Sequence, residues 1–200
     1  MPKLIDYGVR FELVREAVVR VTLRDGTGAV TVSGVAADLQ VSPATLRRLL
    51  ASPGVLPWLG LQLIARRQRT RRLVRTTASV MDPAHELPRS CRSLELELPV
   101  DEERAAEARA WAGLTSIGAT SSVEEMRVDR ATLLSHLVGD VLDALDLEAE
   151  VREVERVRLQ ALVDGLSTAA AGESATPDLI AGALRRHMFT MTPPGLQHVA

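Results

Sequence analysis

Aromatic residues are scarce in this chain: two Trp, one Tyr and two Phe in 200 residues, with only Trp111 and Phe189 after residue 75. A cage for a quaternary ammonium ion needs several rings around one cation, so that class of ligand is excluded. Cys91 is the single cysteine, which rules out an intramolecular disulfide and fits a reducing cytoplasm. Arg89 and Arg92 flank it, but no histidine partner is near, and an unsupported thiol of this kind is expected to be inert. No apolar run approaches a bilayer span, and no basic region followed by an apolar core opens the chain. The expectation is a cytoplasmic protein with no membrane partner. There is no glycine-rich phosphate loop and no nucleophile motif. His136 and Asp140 stand four apart on one helix face, but no further His or Cys completes a metal site, so a helix salt bridge is the simpler meaning. The series Asp140, Asp143, Asp146, Glu148 and Glu150 reads as a solvated edge. Neither an enzyme, nor a metal, nor a cofactor is expected.

What remains is a globular composition, 46% hydrophobic and 25% charged, long enough for one or two domains with a real core. Apolar residues recur at helical spacing throughout and no segment alternates as a strand would, so the fold class is all-α. Charge is unevenly divided. Residues 1–75 hold 13 Lys and Arg against 5 Asp and Glu, a net +8, while residues 76–200 hold 11 against 21, a net −10. A basic head joined to an acidic body suits a protein whose head meets nucleic acid and whose body avoids it.

The most informative stretch is TVSGVAADLQVSPATLRRLL, Thr31 to Leu50. Val32, Val35, Ala36 and Leu39 form one apolar stripe, and Val41, Leu46, Leu49 and Leu50 form the next. Ser42 is a good N-cap, and Pro43 stands where a first helical residue tolerates proline. The outward face of the second helix carries Ser42, Pro43, Ala44, Thr45, Arg47 and Arg48. Small residues followed by two guanidinium groups suit a helix whose N-terminal end nears base edges while cations hold phosphates. The reading is a helix-turn-helix, with Thr31 and Ser33 anchoring phosphate at the start of its first helix.

Before it, Phe11, Val14, Val18, Val19 and Val21 mark a helix from Gly8 to Leu23, stopped by the turn signal Asp25–Gly28. After it, one long helix is expected from Ser52 to Met81, with Pro57 and Gly60 near its start and the basic tract Arg66–Arg72 beyond its middle. That tract wraps around most of the helix, so part of it should pair with acidic residues of the body. Further helices are expected from Arg89 to Leu98, Asp101 to Ser116, Val123 to Leu147 (capped by Ser122), Glu150 to Ala171, and Pro177 to Met191 (capped by Thr176). The division is a helix-turn-helix DNA-binding domain over 1–52 and a helical body over 53–200, which the resemblance set out next implies to be the ligand-binding and dimerisation domain.

Residues Arg10 to Arg75 resemble the DNA-binding domain of the TetR family of transcriptional regulators. The likeness rests on a first helix ending before Gly26, the pair Thr31-Val32, and Val41-Ser42-Pro43-Ala44-Thr45-Leu46. Four positions depart from the family pattern: Gln40 replaces a turn glycine, Arg47 an aromatic, Leu50 a phenylalanine, and Pro53 a lysine. The body resembles the betaine-regulator-like branch of the same family, through LELELPVDEERAAEARAWAGL (Leu94–Leu114) and LQALVDGLSTAAA (Leu159–Ala171).

The resemblance implies a homodimer built from the last two long helices, a double-stranded DNA operator, and a small-molecule effector in the body. Residues that would line an effector pocket are Trp111, Met126, Leu133, His136, Leu137, Leu162 and Leu166. With so few rings available, an aliphatic or amphipathic effector fits better than a choline-like one. Dimer candidates are Leu159, Leu162, Leu166, Leu179, Ile180, Ala183, Leu184, His187 and Met188, although stripes this wide also serve a protomer core. The implied function is a repressor released by its effector. The alternative is a protein of the same fold that has lost operator reading and works through protein contacts, to which the departures at Gln40 and Pro53 point.

Overall fold

A computed structural model of the chain describes residues 7–78, 94–118, 120–145 and 147–191. Helices account for nearly all of them, and no strand occurs among the described residues. The helices are α1 (Tyr7–Asp25), α2 (Val32–Asp38), α3 (Pro43–Leu49), α4 (Leu56–Ala78), α5 (Glu102–Ile117), α6 (Ser121–Ala144), α7 (Ala149–Ala171) and α8 (Pro177–Met191). Short 3-10 turns lie at Thr27–Ala29 and Pro53–Val55, and residues 94–97 form one helical turn. The chain divides into two compact units. One comprises the described residues of 1–66 and 109–127, the other those of 67–108 and 128–200. Helices α4, α5 and α6 therefore each contribute residues to both.

The first unit is organised by aliphatic burial. Val14, Ala17, Val18 and Val19 of α1 join Val35 and Ala36 of α2, Leu46 of α3, Leu59, Leu63 and Ile64 of α4, and Leu114 and Val123 in one core. Two glycines set how closely these helices approach. A Cβ on Gly60 would lie 2.7 Å from Leu114 Cδ1 and 2.8 Å from Val18 Cγ1; one on Gly113 would lie 2.7 Å from Thr27 Cγ2. Helices α1 to α3 thus share their core with residues from farther along the chain. Helix α1 ends where Gly26 takes φ 79° and ψ 174°, a region that is in practice open to glycine alone.

The second unit has its own core, in which Leu94 and Leu98 pack with Leu134, Val138, Val141 and Leu142 of α6, Leu159 and Val163 of α7, and Ile180, Leu184 and Met188 of α8. Helices α7 and α8 pack against each other. The Asp101 carboxylate caps α5 by accepting from the Arg104 amide at 2.8 Å. Thr176 Oγ1 lies 3.4 Å from the Leu179 amide at the start of α8.

Three local expectations need correction. Val41 does not join the buried stripe and is 40% exposed, because the reversal at Gln40 turns it outward. The cap of α6 is Thr120 rather than Ser122, since its carbonyl and hydroxyl accept from the Val123 amide. Helix α4 begins at Leu56, with Pro53 in the preceding 3-10 turn. Cys91 and the segment around it, Asp146, and the tail after Met191 lie outside the described residues.

Gly34 provides a direct test of the packing. A Cβ there would lie 2.2 Å from the Ala29 carbonyl oxygen, a backbone atom with little freedom to yield, whereas nothing lies within 4 Å of one on Gly28. Gly34→Ala should therefore destabilise the protein by about 2 kcal/mol, as overpacking does, while Gly28→Ala stays within about 0.5 kcal/mol. Urea denaturation midpoints of the two variants check this. Equal midpoints would contradict the close approach.

Candidate nucleic-acid interface

Helices α2 and α3 are short, and both are closed at their N-termini by a hydroxyl. Thr31 Oγ1 accepts from the Gly34 amide at 3.0 Å, and Ser42 Oγ accepts from the Thr45 amide at 3.1 Å. Pro43 is the first helical residue of α3 and loses no hydrogen bond there. Between the helices, Gln40 sits at φ 56°. This is the turn position at which the sequence carries glutamine in place of glycine, and a side chain there bears left-handed backbone strain.

The rotation of α3 is fixed by its buried side. Leu46 has no exposed surface, Leu50 is buried and Leu49 half-buried. The 3.6-residue repeat then puts Ala44 and Arg48 in the middle of the opposite side, with Thr45 and Arg47 flanking them. All four are exposed, as are Ser42 and Pro43. Thr45 is not wholly free for a ligand, because its hydroxyl lies 2.8 Å from Ser42 Oγ. Thr31 and Ser33 are exposed at the start of α2.

Long-range pairing divides the cations of this unit into two groups. Asp38, at the end of α2, accepts from Arg20 at 2.7 Å and Arg24 at 2.8 Å. Burial pushes this carboxyl up, but the two arginine hydrogen bonds outweigh it and hold the group below the usual carboxylate range. Glu12 accepts from Arg66 and from Arg15, and these hydrogen bonds lower its pKa in the same way. By contrast, Arg10, Arg47 and Arg48 are exposed and make no ion pair or side-chain hydrogen bond among the described residues. Arg47 and Arg48 were expected from the sequence. Arg10 was not, since periodicity places it on a polar face without telling which polar residues find partners.

The basic tract of α4 is largely engaged. Arg66 pairs with Glu12, Arg67 and Arg71 with Glu107, and Arg72 with Glu97. It is thus a set of structural ion pairs rather than a free basic stripe.

The residues expected to line an effector pocket are divided between the two units. Trp111 and Met126 pack on the core of the first unit; Leu137, Leu162 and Leu166 pack on that of the second. Leu133 is half-buried and His136 exposed. The expected His136–Asp140 salt bridge is not formed, and both side chains face solvent. Asp140, Asp143, Glu148 and Glu150 are exposed, as a solvated edge should be. One cavity, of about 220 Å³, is lined by Ser52, Gly54, Val55, Trp58, Thr120 and Ser122 of the first unit. A second, of about 10 Å³, lies among charged residues of the second unit. Neither is lined by any of the seven.

The dimer candidates are also separated by burial. Leu159, Ile180, Leu184 and Met188 are buried inside the protomer; Leu162, Leu166 and His187 are half-buried. Leu179, 65% exposed, and Ala183 face solvent. So do Gly165 of α7, which the sequence offered as a point of close approach, and Val154, Val157 and Ala161 of α7 and Gly182 and Phe189 of α8, which were not expected. Helical periodicity marks an apolar side without telling what covers it.

No family model matches the chain, and no curated protein matches it in sequence. Solved structures do. A transcriptional regulator from Rhodococcus sp. Rha1 superposes with a TM-score of 0.68 at 21% identity, covering 90% of this chain and 95% of that one. A proposed transcriptional regulator from Pseudomonas aeruginosa PAO1 gives 0.64 at 17% identity, over 98% of this chain and 99% of that one. A TetR-like transcriptional regulator from Rhodococcus sp. RHA1 gives 0.56 at 18% identity, over 94% and 96%. The chain has the all-helical fold of these proteins, a helix-turn-helix head continued by a helical body.

Proposed function

We propose that the protein is a dimeric transcriptional regulator of TetR type, a cytoplasmic, non-enzymatic repressor that binds a palindromic operator and is released by a small molecule. The observation that carries this reading is the exposed side of α3. Ala44 and Arg48 stand at its centre, Arg47 beside them, and the arginines have no partner among the described residues. In a head where Arg20, Arg24, Arg15 and Arg66 are all held by carboxylates, unpaired exposed guanidinium groups are the ones available to phosphates and base edges. Residues 1–52 supply the reading surface, while 53–200 complete its core, dimerise and take the effector.

Dimerisation is supported by α7 and α8. Val154, Val157, Ala161 and Gly165 recur at three- and four-residue spacing on the exposed side of α7, and Leu179, Gly182, Ala183 and Phe189 are exposed on α8. A Cβ added to Gly165 or Gly182 would meet nothing within 4 Å, so both leave room for a second helix. A head this small binds weakly alone, and two heads on adjacent major grooves give a palindromic site its affinity.

Binding of the purified protein to the DNA upstream of its own coding region, followed by fluorescence anisotropy, tests the reading. Affinity should fall steeply between 50 and 200 mM salt, and it should exceed that for an unrelated duplex by about a thousandfold. Equal affinity for both duplexes would favour the protein-contact alternative. Arg10→Ala and Arg47→Ala should each weaken binding to every duplex and reduce the salt slope by about one unit for each phosphate left without its cation. An unchanged slope would remove that residue from the phosphate contacts. Val157→Glu with Leu179→Glu, both exposed in the protomer, should yield folded monomers by light scattering and at least tenfold weaker operator binding. A variant that stays dimeric would overturn the assigned interface.

A further inference from the structure

The first turn of α3 holds little that can make a new hydrogen bond. Ser42 Oγ already accepts from the Thr45 amide at 3.1 Å and lies 2.8 Å from Thr45 Oγ1. The two hydroxyls are thus engaged with the helix start and with each other. Pro43 and Ala44, exposed between them, carry no polar side-chain atom. One turn later the chemistry changes, for Arg47 and Arg48 are exposed guanidinium groups with no partner among the described residues.

Rotation separates these residues further. Leu46 is wholly enclosed and marks the buried side of the helix. At about 100° per residue, Ala44 and Arg48 lie about 20° to either side of the line opposite it, whereas Thr45 and Arg47 lie about 80° from that line. Ala44 and Arg48 are therefore the two side chains aimed most directly away from the core, one above the other on the same face. Ala44 offers a single methyl group, which meets a partner only where the backbone itself comes close, and its small neighbours allow that approach. Arg48 is long enough to reach a base edge from the farther end of the helix. Both requirements suit a helix that enters the major groove by its first residues.

The base edges of that groove offer each group one good match. Thymine presents a methyl group there, and guanine presents N7 and O6 as a pair of acceptors that the planar fork of an arginine fits. We propose, resting on the regulatory function set out above, that Ala44 and Arg48 set the sequence the protein selects. Ala44 packs on a thymine methyl, and Arg48 donates to N7 and O6 of a guanine in the same half-site. Arg47, at the side of the helix, is left to a phosphate, and the hydroxyls of Ser42 and Thr45 hold the helix start rather than reading bases.

The test uses base analogues in a duplex that the full-length protein selects from a random pool, with binding followed by fluorescence anisotropy. Each thymine in turn is replaced by uracil, which lacks only the methyl, and each guanine by 7-deazaguanine, which lacks the N7 acceptor. At one thymine of each half-site uracil should weaken binding about fourfold, as loss of one buried methyl does. At one guanine, 7-deazaguanine should weaken it about tenfold. Ala44→Gly should make thymine and uracil equivalent while keeping the response to 7-deazaguanine, and Arg48→Ala should do the converse. Both side chains are exposed, and each ratio compares two duplexes on one protein, so a general loss of affinity in a variant cancels. Analogue responses that are absent, or that persist unchanged in the variants, would overturn the assignment and leave a sequence-selective regulator standing. A pool that yields no selected duplex would overturn the regulatory function and this assignment with it.

Discussion

What α3 can offer a duplex follows from the burial of Leu46. A seven-residue helix has no stability of its own in water, so its orientation is set by what it packs against. With Leu46 fully enclosed and Leu50 beside it, one side of the helix is committed to the core and the other is necessarily presented outward. The serine cap, the proline at the first position and the left-handed turn at Gln40 all act on this same arrangement, fixing where the helix starts and how the chain enters it. The small residues and arginines opposite Leu46 are then a consequence of rotation rather than a separate design.

Charge works differently in the two units. In the head, paired arginines fasten helices together: Asp38 ties α2 to Arg20 and Arg24 of α1, and Glu12 ties α1 to Arg66 of α4. In the body, the arginines of α4 meet buried carboxylates. The first set is exposed on its cationic side and individually contributes little, at most about 1 kcal/mol for a pair. The second is buried deeply enough that removing one partner would strand the other, the circumstance in which ion pairs matter most. One helix, α4, carries arginines of both sets.

Much of this was legible in the sequence, because helical periodicity and capping act over a few residues. The helix-turn-helix, Ser42 as N-cap, Pro43 at the first position, Gln40 at the turn and the pairing of the Arg66–Arg72 tract could all be read locally or nearly so. The partners of individual charges could not: Arg20 and Asp38 are 18 residues apart, Arg66 and Glu12 are 54 apart, and Arg15 pairs with Glu12 while Arg10 has no carboxylate partner among the described residues. The same limit explains the apolar stripes of α7 and α8. Leu159, Ile180 and Met188 are as apolar as Val157 and Leu179, and only packing tells which are consumed by the protomer. Glu97 shows the limit most clearly, since nothing local tells that its side chain is buried beside Arg72 while that of Glu95 pairs with the exposed Arg185.

On the function proposed above, two α3 helices held by one dimer read a symmetric duplex. Selection of bound sequences from a pool of random duplexes by the purified protein checks this. Such a dimer should enrich a two-fold symmetric motif whose half-site centres are about 10 base pairs, or a multiple of that, apart. A bound fraction with the composition of the starting pool, or an enriched motif without symmetry, would contradict it.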